Sequence, residues 1–434
     1  MKNVVLNEIF EFVDDQVLPI FEKEPGLANQ ILDYDFLLEF SNRRRADPFS
    51  LVRQTFEDGL EKVRLFAYVP QCNYHCAYCP FPTLNDGRQE EDAVRLMREA
   101  ANFRSHIGGL FPEVESFSVG GGTPTVLSAN GINRLVSYVR EIYQIPAGVY
   151  VNMECSPDSI SEEKVVAAFD SGVTRLSMGV QTFDDRILEK CRRRHTGAIA
   201  EAACRMLLQR TFQDLNVDLM RGLPGQRAEI FTDDIQRFIT TGIPSLHLYR
   251  LRLPPKHPLL KSEPYTREYV REVLAMQLIA DRYLVGAGYQ RHHSAHWTNN
   301  PHASSVTSKP WDFDKAEIGF GMGAYSYVPM GEARNITSVH KWRKLVDSEV
   351  VAFSEGSFYS AQEQEVRWIK FALKSLVLDL DSYKRYLGKP LDQSFVWPKI
   401  ERLIDLGVLV SNGKELFFTP AGYAIAEEAI RFLI

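Results

Sequence analysis

Cysteine is scarce, at six in 434 residues. That is far too few for a disulfide scaffold of the kind small secreted domains use. No run of about 18 or more apolar residues occurs, so no membrane-spanning helix is expected. An excess of positive charge is also missing: Lys and Arg total 50 against 56 Asp and Glu, for a net charge of −6. A nucleic-acid-coating protein is therefore not expected, and the balance favours solubility. The start, MKNVVLNEIFEFVDDQ, lacks a basic segment followed by an apolar one, so no secretory peptide is expected and a reducing cytoplasm is the default compartment. Internal repeats and low-complexity tracts are absent. What is present, 45% hydrophobic and 24% charged residues, is the mixture of an ordinary soluble globular protein. The length suggests two or three domains, although barrels often run longer as one unit.

Residues 1–60 are charged, with a basic cluster at Arg43, Arg44 and Arg45 that reads first as a solvated face. Val5, Ile9, Phe10 and Val13 fall near one face of a helix, which predicts an N-terminal helical extension. From Val63 onward, short apolar strands alternate with amphipathic segments. Strands are predicted at 63–69, 116–120, 149–155, 175–180, 215–220 and 246–251. Helices are predicted at 90–108, 129–143, 161–171, 185–191, 197–209 and 228–241. Such alternation argues for βαβ units and a parallel sheet, either a full or partial (β/α) barrel or an open doubly wound sheet. Around residue 285 the chain becomes turn-rich, aromatic and His-rich, and reads as a long functional loop. The last unit has helices near 361–376 and 394–406 and a hairpin signal at Ser411-Asn412-Gly413, then a helix at 420–433. That pattern suggests a small winged-helix-like domain. The expected divisions are 1–60, 61–285, 286–358 and 359–434.

Cys72, Cys76 and Cys79 form a Cx3CxxC run just past a predicted strand, where α/β enzymes place their sites. Three thiolates this close can converge from one loop onto a metal centre. A structural zinc site wants four protein ligands, and only His75 stands near enough to complete one. A [4Fe–4S] cluster on three thiolates leaves one iron open for a ligand that is not protein. Both metals, and buried unrelated cysteines, remain readings of the spacing alone.

With that motif the chain resembles the radical S-adenosylmethionine (SAM) superfamily, in the subgroup of oxygen-independent coproporphyrinogen III oxidase and its methyltransferase and cyclopropanase relatives. The likeness covers roughly residues 63–340 well and the end of the chain, including E-L-F-F-T-P-A-G (415–422), more loosely. It implies an α/β partial (β/α) barrel with an N-terminal helical extension and a small C-terminal helical, winged-helix-like domain. It implies a [4Fe–4S] cluster on Cys72, Cys76 and Cys79 whose open iron chelates SAM, and reductive cleavage of SAM to a 5′-deoxyadenosyl radical. Tyr78 takes the aromatic position that packs beside the adenine. Gly120, Gly121 and Gly122, in S-V-G-G-G-T-P-T, match the glycine motif, where absent side chains let backbone approach a ligand. Glu154 matches the acidic residue near the SAM amino-acid moiety, Gln181 and Asp218 the residues that contact the ribose, and Arg193 the arginine that pairs with the carboxylate. An arginine fork suits a carboxylate. Gly321, in I-G-F-G-M-G-A-Y-S-Y, matches a segment near the substrate or a second SAM.

The sequence departs from the pattern at the entry to the cysteines. Relatives usually carry Tyr-x-His-x-Pro-Phe-Cys; here the positions read Phe66, Ala67, Tyr68, Val69, Pro70, Gln71 and Cys72. A fourth cysteine that follows the motif in some relatives is absent. These departures favour methylation or cyclopropanation in natural-product tailoring, with one or two SAM molecules, over oxidative decarboxylation of a porphyrinogen. Haem-degrading methyl transfer and a non-enzymatic haem chaperone stand as alternatives, the second with axial ligands from the His-rich segment. His292, His293 and His296 are the candidate bases, in a group with His302, Trp297 and Trp311. Cys155, Cys191 and Cys204 read as structural. The expected partners are a flavodoxin- or ferredoxin-type electron donor and a small-molecule substrate. A methyltransferase-like partner protein is a further option, and neither nucleic acid nor membrane is expected.

Overall fold

The structure, a computed structural model, describes residues 2–32, 44–254, 257–259, 266–303 and 315–433. Arg43 and Trp311 lie outside the described residues. Six parallel strands run in chain order: β1 (Lys62–Val69), β2 (Glu113–Gly121), β3 (Tyr150–Cys155), β4 (Arg175–Gln181), β5 (Asp214–Arg221) and β6 (Ser245–Arg250). Helices between them cover the outer face. Several of these helices are started by side-chain caps: Ser128, Ser161, Asp184 and Thr196 each accept a first-turn backbone N–H.

A parallel sheet covered on both faces reads as continuous apolar runs. Here the strands alternate instead. In β3, Val151, Met153 and Cys155 are buried outward, while Asn152 and Glu154 face inward and are only half-buried. Asp218 and His247 are likewise half-buried, and Ser177 and Asn216, which hydrogen-bond to Asp218, are buried. The inner face therefore borders a polar lumen, and the apolar core lies between the strands and the surrounding helices.

Beyond β1 the sheet continues with β9 (Ala316–Phe320), parallel to it, and then with β10 (Tyr325–Val328), β11 (Gly331–Asn335) and β12 (Phe353–Phe358), all antiparallel. Beyond β6 lie β8 (His296–Thr298) and β7 (Gln290–His293), an antiparallel hairpin. The fold is an α/β partial barrel, and β12 and β7 end its hydrogen-bonded order among the described residues. The segment read as a long His-rich loop thus contains a hairpin, with His293 paired to His296 around a two-residue turn. His292 and His296, four apart in the sequence, therefore stand on two paired strands and share no helical face.

After the long helix Ala361–Lys374, which opens with a Ser360/Glu363 capping box, come β13 (Val377–Asp379), β14 (Leu409–Ser411) and β15 (Glu415–Phe418) in a three-stranded sheet. The turn at 412–414 forms where expected, Asn412 Oδ1 accepting from the Lys414 and Glu415 backbone N–H groups. The predicted helix at 420–433 is two helices, Pro420–Ala424 and Ala426–Phe432. The N-terminal segment is helical, and Ile9 and Val13 are buried. Its helix Pro25–Leu32 packs on Ala426–Phe432, with Gly26 against the Phe432 ring. No described helix is long and apolar enough to cross a membrane.

Candidate cluster and cofactor site

The chain leaves β1 at Val69 and folds back on itself. Leu84 donates its N–H to Pro70 O at 2.7 Å, and Cys72 N donates to Leu84 O at 2.8 Å, closing a loop around all three cysteines. The loop base sits on the end of β2 through Gly122 N to Val69 O (2.7 Å) and Thr123 N to Gln71 O (2.9 Å). Ala77 N donates to Cys191 O, so Cys191 tethers the loop's middle. Cys76 is buried and Cys72 and Cys79 are half-buried, and all six cysteines are free thiols. Burial pushes the Cys79 thiol up to about 11, with Cys76 and Cys72 adding to the rise. His75 is exposed and directed at Thr83 Oγ1, 3.1 Å away. Among the described residues no three Cys, His, Asp or Glu side chains gather around one point as a single metal ion requires. A cubane cluster binds each cysteine to a different iron and needs no such convergence, so three free thiols on one loop suit it and leave the zinc reading without its ligand set.

The glycine run is demanded by the protein's own atoms. A Cβ on Gly120 would lie 2.7 Å from the Glu154 carboxyl, one on Gly121 2.8 Å from the Tyr68 ring, and one on Gly122 2.4 Å from Gln71 O. Gly121 also has φ of +108°, and its N–H donates to Glu154 Oε2 at 3.1 Å. Around the rim, Glu154 faces Asp218, which accepts from Asn216 Nδ2 (2.7 Å) and Ser177 Oγ (3.3 Å). Burial pushes the Glu154 carboxyl up to about 7, and the Asp218 charge adds to it; Asp218 is raised by burial as well. Two carboxyls held against their preference for ionisation suit a cationic guest. Gln181 sits at the end of β4 with φ of +73°, uncommon for a residue with a side chain, and its Nε2 lies over Gly179.

Of the three consecutive arginines, Arg192 and Arg194 are exposed and Arg193 turns inward. Its Nη1 is 3.5 Å from Cys76 Sγ, its Nη2 donates to Ser156 Oγ at 3.2 Å and to Gly179 O, and its Nε is buried without a partner. The structure thus brings Cys76, Glu154, Gln181, Arg193 and Asp218 to one end of the parallel strands. Tyr78 packs into a small apolar cluster with Ile187, Cys191, Met220, Leu223, Leu251 and Leu253.

Gly321 is used differently from the sequence reading. Its N–H donates to Glu99 Oε2 (2.9 Å), its carbonyl accepts from Asn335 Nδ2 (2.8 Å), and a Cβ would meet Tyr68 O at 2.3 Å. Both backbone groups are engaged within the protein. The histidines also separate. His296 is fully buried, stacked on His247 at 4.3 Å, and neither ring nitrogen has a partner. His293 accepts from Ala295 N at 3.3 Å, and burial lowers its pKa to about 3; His296 is lowered well below the usual value for the same reason. Neither titrates near neutrality as a general base was expected to. His292 is half-buried and His302 exposed.

A second wall of the lumen carries the tyrosine pair of I-G-F-G-M-G-A-Y-S-Y, which the sequence marked, together with cations that it did not. Tyr325 and Tyr327 on β10 are stacked, with ring centroids 5.9 Å apart. The Arg334 guanidinium lies 4.9 Å over Tyr325; that of Arg367 lies 5.7 Å over Tyr327 and 4.2 Å over Tyr359. Lys370 and Lys374 follow on the same helix. Burial lowers the Lys370 pKa to about 7, helped by Lys374, Arg431, Arg367 and Arg252, and burial lowers that of Lys374 as well. Arg334, Arg367, Lys370 and Lys374 have no carboxylate within ion-pair distance among the described residues. The spacing 367, 370, 374 is one helical face, and that is the signal by which the wall was findable.

Residues 67–238 match the radical SAM superfamily, so the chain carries a radical SAM domain. Its cofactors are accordingly a [4Fe–4S] cluster and SAM. Within the superfamily it falls in the subgroup of HemN-like proteins. It is 25% identical to the heme chaperone HemW of Lactococcus lactis over 85% of this chain and 97% of that one. It is likewise 25% identical to the anaerobilin synthase of Escherichia coli O157:H7, over 74% of this chain and 77% of the other. In fold it is similar to coproporphyrinogen III oxidase (HemN) from Escherichia coli, with a TM-score of 0.77 at 18% identity, covering 93% of this chain and 99% of that one.

Proposed function

We propose that this chain binds a tetrapyrrole of the haem or porphyrin type in its lumen, next to a [4Fe–4S] cluster on Cys72, Cys76 and Cys79. SAM would lie between Glu154, Gln181, Arg193 and Asp218. When bound, cluster and SAM supply one-electron reductive cleavage of a carbon–sulfur bond, which yields a primary carbon radical. The lumen excludes water from that radical, and Arg193 meets the SAM carboxylate.

The observation that carries the reading is the cationic, aromatic wall. Cations that make no ion-pair contact cost free energy where they are desolvated. An anionic ligand offsets that cost, and a planar ring system with carboxylate side chains meets both the guanidinium forks and the Tyr325–Tyr327 stack. The names of the relatives speak of heme, anaerobilin and coproporphyrinogen. They support the tetrapyrrole reading over the natural-product methylation that the entry residues Phe66 and Tyr68 first suggested. The relatives named heme chaperones favour delivery of an intact ligand over its conversion.

Anaerobically reconstituted protein titrated with haemin should shift the Soret band with saturable stoichiometry. Reductant and SAM are then added. 5′-Deoxyadenosine together with an altered tetrapyrrole makes the protein an enzyme of this ligand; intact transfer to an apo-haemoprotein without 5′-deoxyadenosine makes it a chaperone. A protein that carries its cluster but binds neither haemin nor a porphyrinogen would overturn the reading.

A further inference from the structure

Gln71 stands immediately before the first cysteine, where the related pattern has a phenylalanine. An amide at an apolar position needs partners, because a buried polar group without them is costly. The structure supplies them. Gln71 is 2% exposed, and its Nε2 donates one hydrogen bond to Asp86 Oδ1 (2.9 Å) and one to Asp92 Oδ2 (2.8 Å). The two carboxylates are in turn bridged by one guanidinium. Arg343 donates from Nε to Asp92 Oδ1 (2.8 Å) and from Nη2 to Asp92 Oδ2 (2.6 Å), and its Nη1 lies 2.8 Å from Asp86 Oδ2. Arg95 adds a contact to Asp92 Oδ1 at 3.2 Å.

The result is a closed ring of four residues from three parts of the chain. Gln71 is the near end of the cysteine loop and Asp86 its far end. Asp92 belongs to the helix Gln89–Ile107, and Arg343 to the helix Val339–Asp347, which follows the added strands β9–β11. Amide and guanidinium each bridge the same two carboxylates, so neither end of the loop can move without breaking hydrogen bonds at the other. Without the guanidinium, two like charges would converge on one neutral amide, and the far end of the loop would be pushed away.

We propose that Arg343 is a positioning residue for the cluster: through Asp86, Asp92 and Gln71 it holds the loop of Cys72, Cys76 and Cys79 in the shape that retains iron. The inference rests on the cluster reading above and adds that retention depends on a segment more than 250 residues away from the cysteines. No electron or proton passes through the ring; it acts only on the loop's shape.

The test compares reconstituted holoproteins under a ferrous chelator in anaerobic buffer. Arg343→Ala should lose iron at least about tenfold faster than the parent, Asp86→Asn more slowly than that but still faster than the parent, and Arg343→Lys, which keeps the charge but not the fork, in between. The thermal midpoint of each apoprotein is measured alongside. A role in general stability alone would move the midpoints in the same order as the iron loss. The clamp predicts iron loss that changes while the Asp86→Asn midpoint, at a partly exposed loop residue, stays near that of the parent. Parent-like iron release in both Arg343→Ala and Asp86→Asn overturns the clamp while leaving the cluster in place. A parent protein that takes up no iron overturns the cluster reading, and the clamp with it.

Discussion

The two walls of the lumen are built in opposite ways. One, at the ends of β1 to β5, is acidic and motif-borne: the cysteine loop, the glycine run, Glu154 and Asp218 each stand in a short recognisable string, with Arg193 as the cation. The other, from β10, β11 and the helix Ala361–Lys374, is basic and aromatic, and its members come from three separate stretches: Tyr325 with Tyr327, Arg334, and Arg367 with Lys370 and Lys374 on one helical face. The first wall suits a small cofactor bearing both a cation and a carboxylate. The second suits a larger anionic ring. The difference teaches that the cofactor side of the site is encoded locally and the ligand side only by the fold that brings distant segments together.

The sharpest break between the walls is total loss on one side. Replacing Cys72, Cys76 and Cys79 by alanine together should abolish iron binding and the charge-transfer absorption while the cationic wall still binds haemin. Stoichiometric iron in the triple variant would show that the three free thiols are not the ligands.

Much of the first wall was open to sequence reasoning because backbone and chemistry coincide there. Glu154, Gln181, Arg193 and Asp218 were named by their match to the family's motifs, and the glycines of 120–122 marked a close approach. The approach turned out to be the protein's own: Glu154, Tyr68 and Gln71 fill the space that side chains would take. The same holds for Gly321, whose backbone groups serve Glu99 and Asn335. A glycine reports crowding without saying what crowds it. The hairpin β7–β8 was hidden because His-rich, turn-rich composition says nothing of pairing, and strands of four and three residues leave little periodicity to detect. The cations of the second wall were hidden because Arg334, on β11, and Arg367, on a later helix, reach the Tyr325–Tyr327 pair only through the fold.

An intermediate effect is expected at Arg193, the cation beside Cys76. Arg193→Ala removes a charge-assisted contact of about 1.5–3 kcal/mol, so reductive SAM cleavage should weaken roughly ten- to a hundredfold at sub-saturating SAM. Haemin affinity should be unchanged, since the residue lies beside Cys76 and Gly179 and not on the opposite wall. Unaltered cleavage kinetics would remove Arg193 from the cofactor's contacts.

The smallest effect, and the one that separates the walls by pH, concerns Lys370. Its folded pKa is lowered to about 7 from an ordinary 10.5 by burial and by Lys374, Arg431, Arg367 and Arg252. Between those two values the unfolded chain binds more protons at this site than the folded one, so this group makes the ligand-free protein gain stability as pH rises from about 7 to about 10. A carboxylate ligand acts in the reverse sense. It meets a charged Lys370 below pH 7 and a neutral one above it, so haemin affinity should rise several-fold from pH 8.5 to pH 6.5. Glu427, which faces Lys374, is held below the usual carboxylate range by Arg221, Arg252 and Arg250 and keeps its charge across that interval. Both trends should flatten in Lys370→Met, measured by thermal unfolding without ligand and by Soret titration with it. On the opposite wall, SAM cleavage should keep the parent's pH profile in the same variant, because Lys370 lies among the cations of the second wall. A haemin affinity that holds constant from pH 6.5 to 8.5 in the parent would show that Lys370 does not face the ligand's carboxylates, and would shift the anion contacts to the guanidinium groups of Arg334 and Arg367.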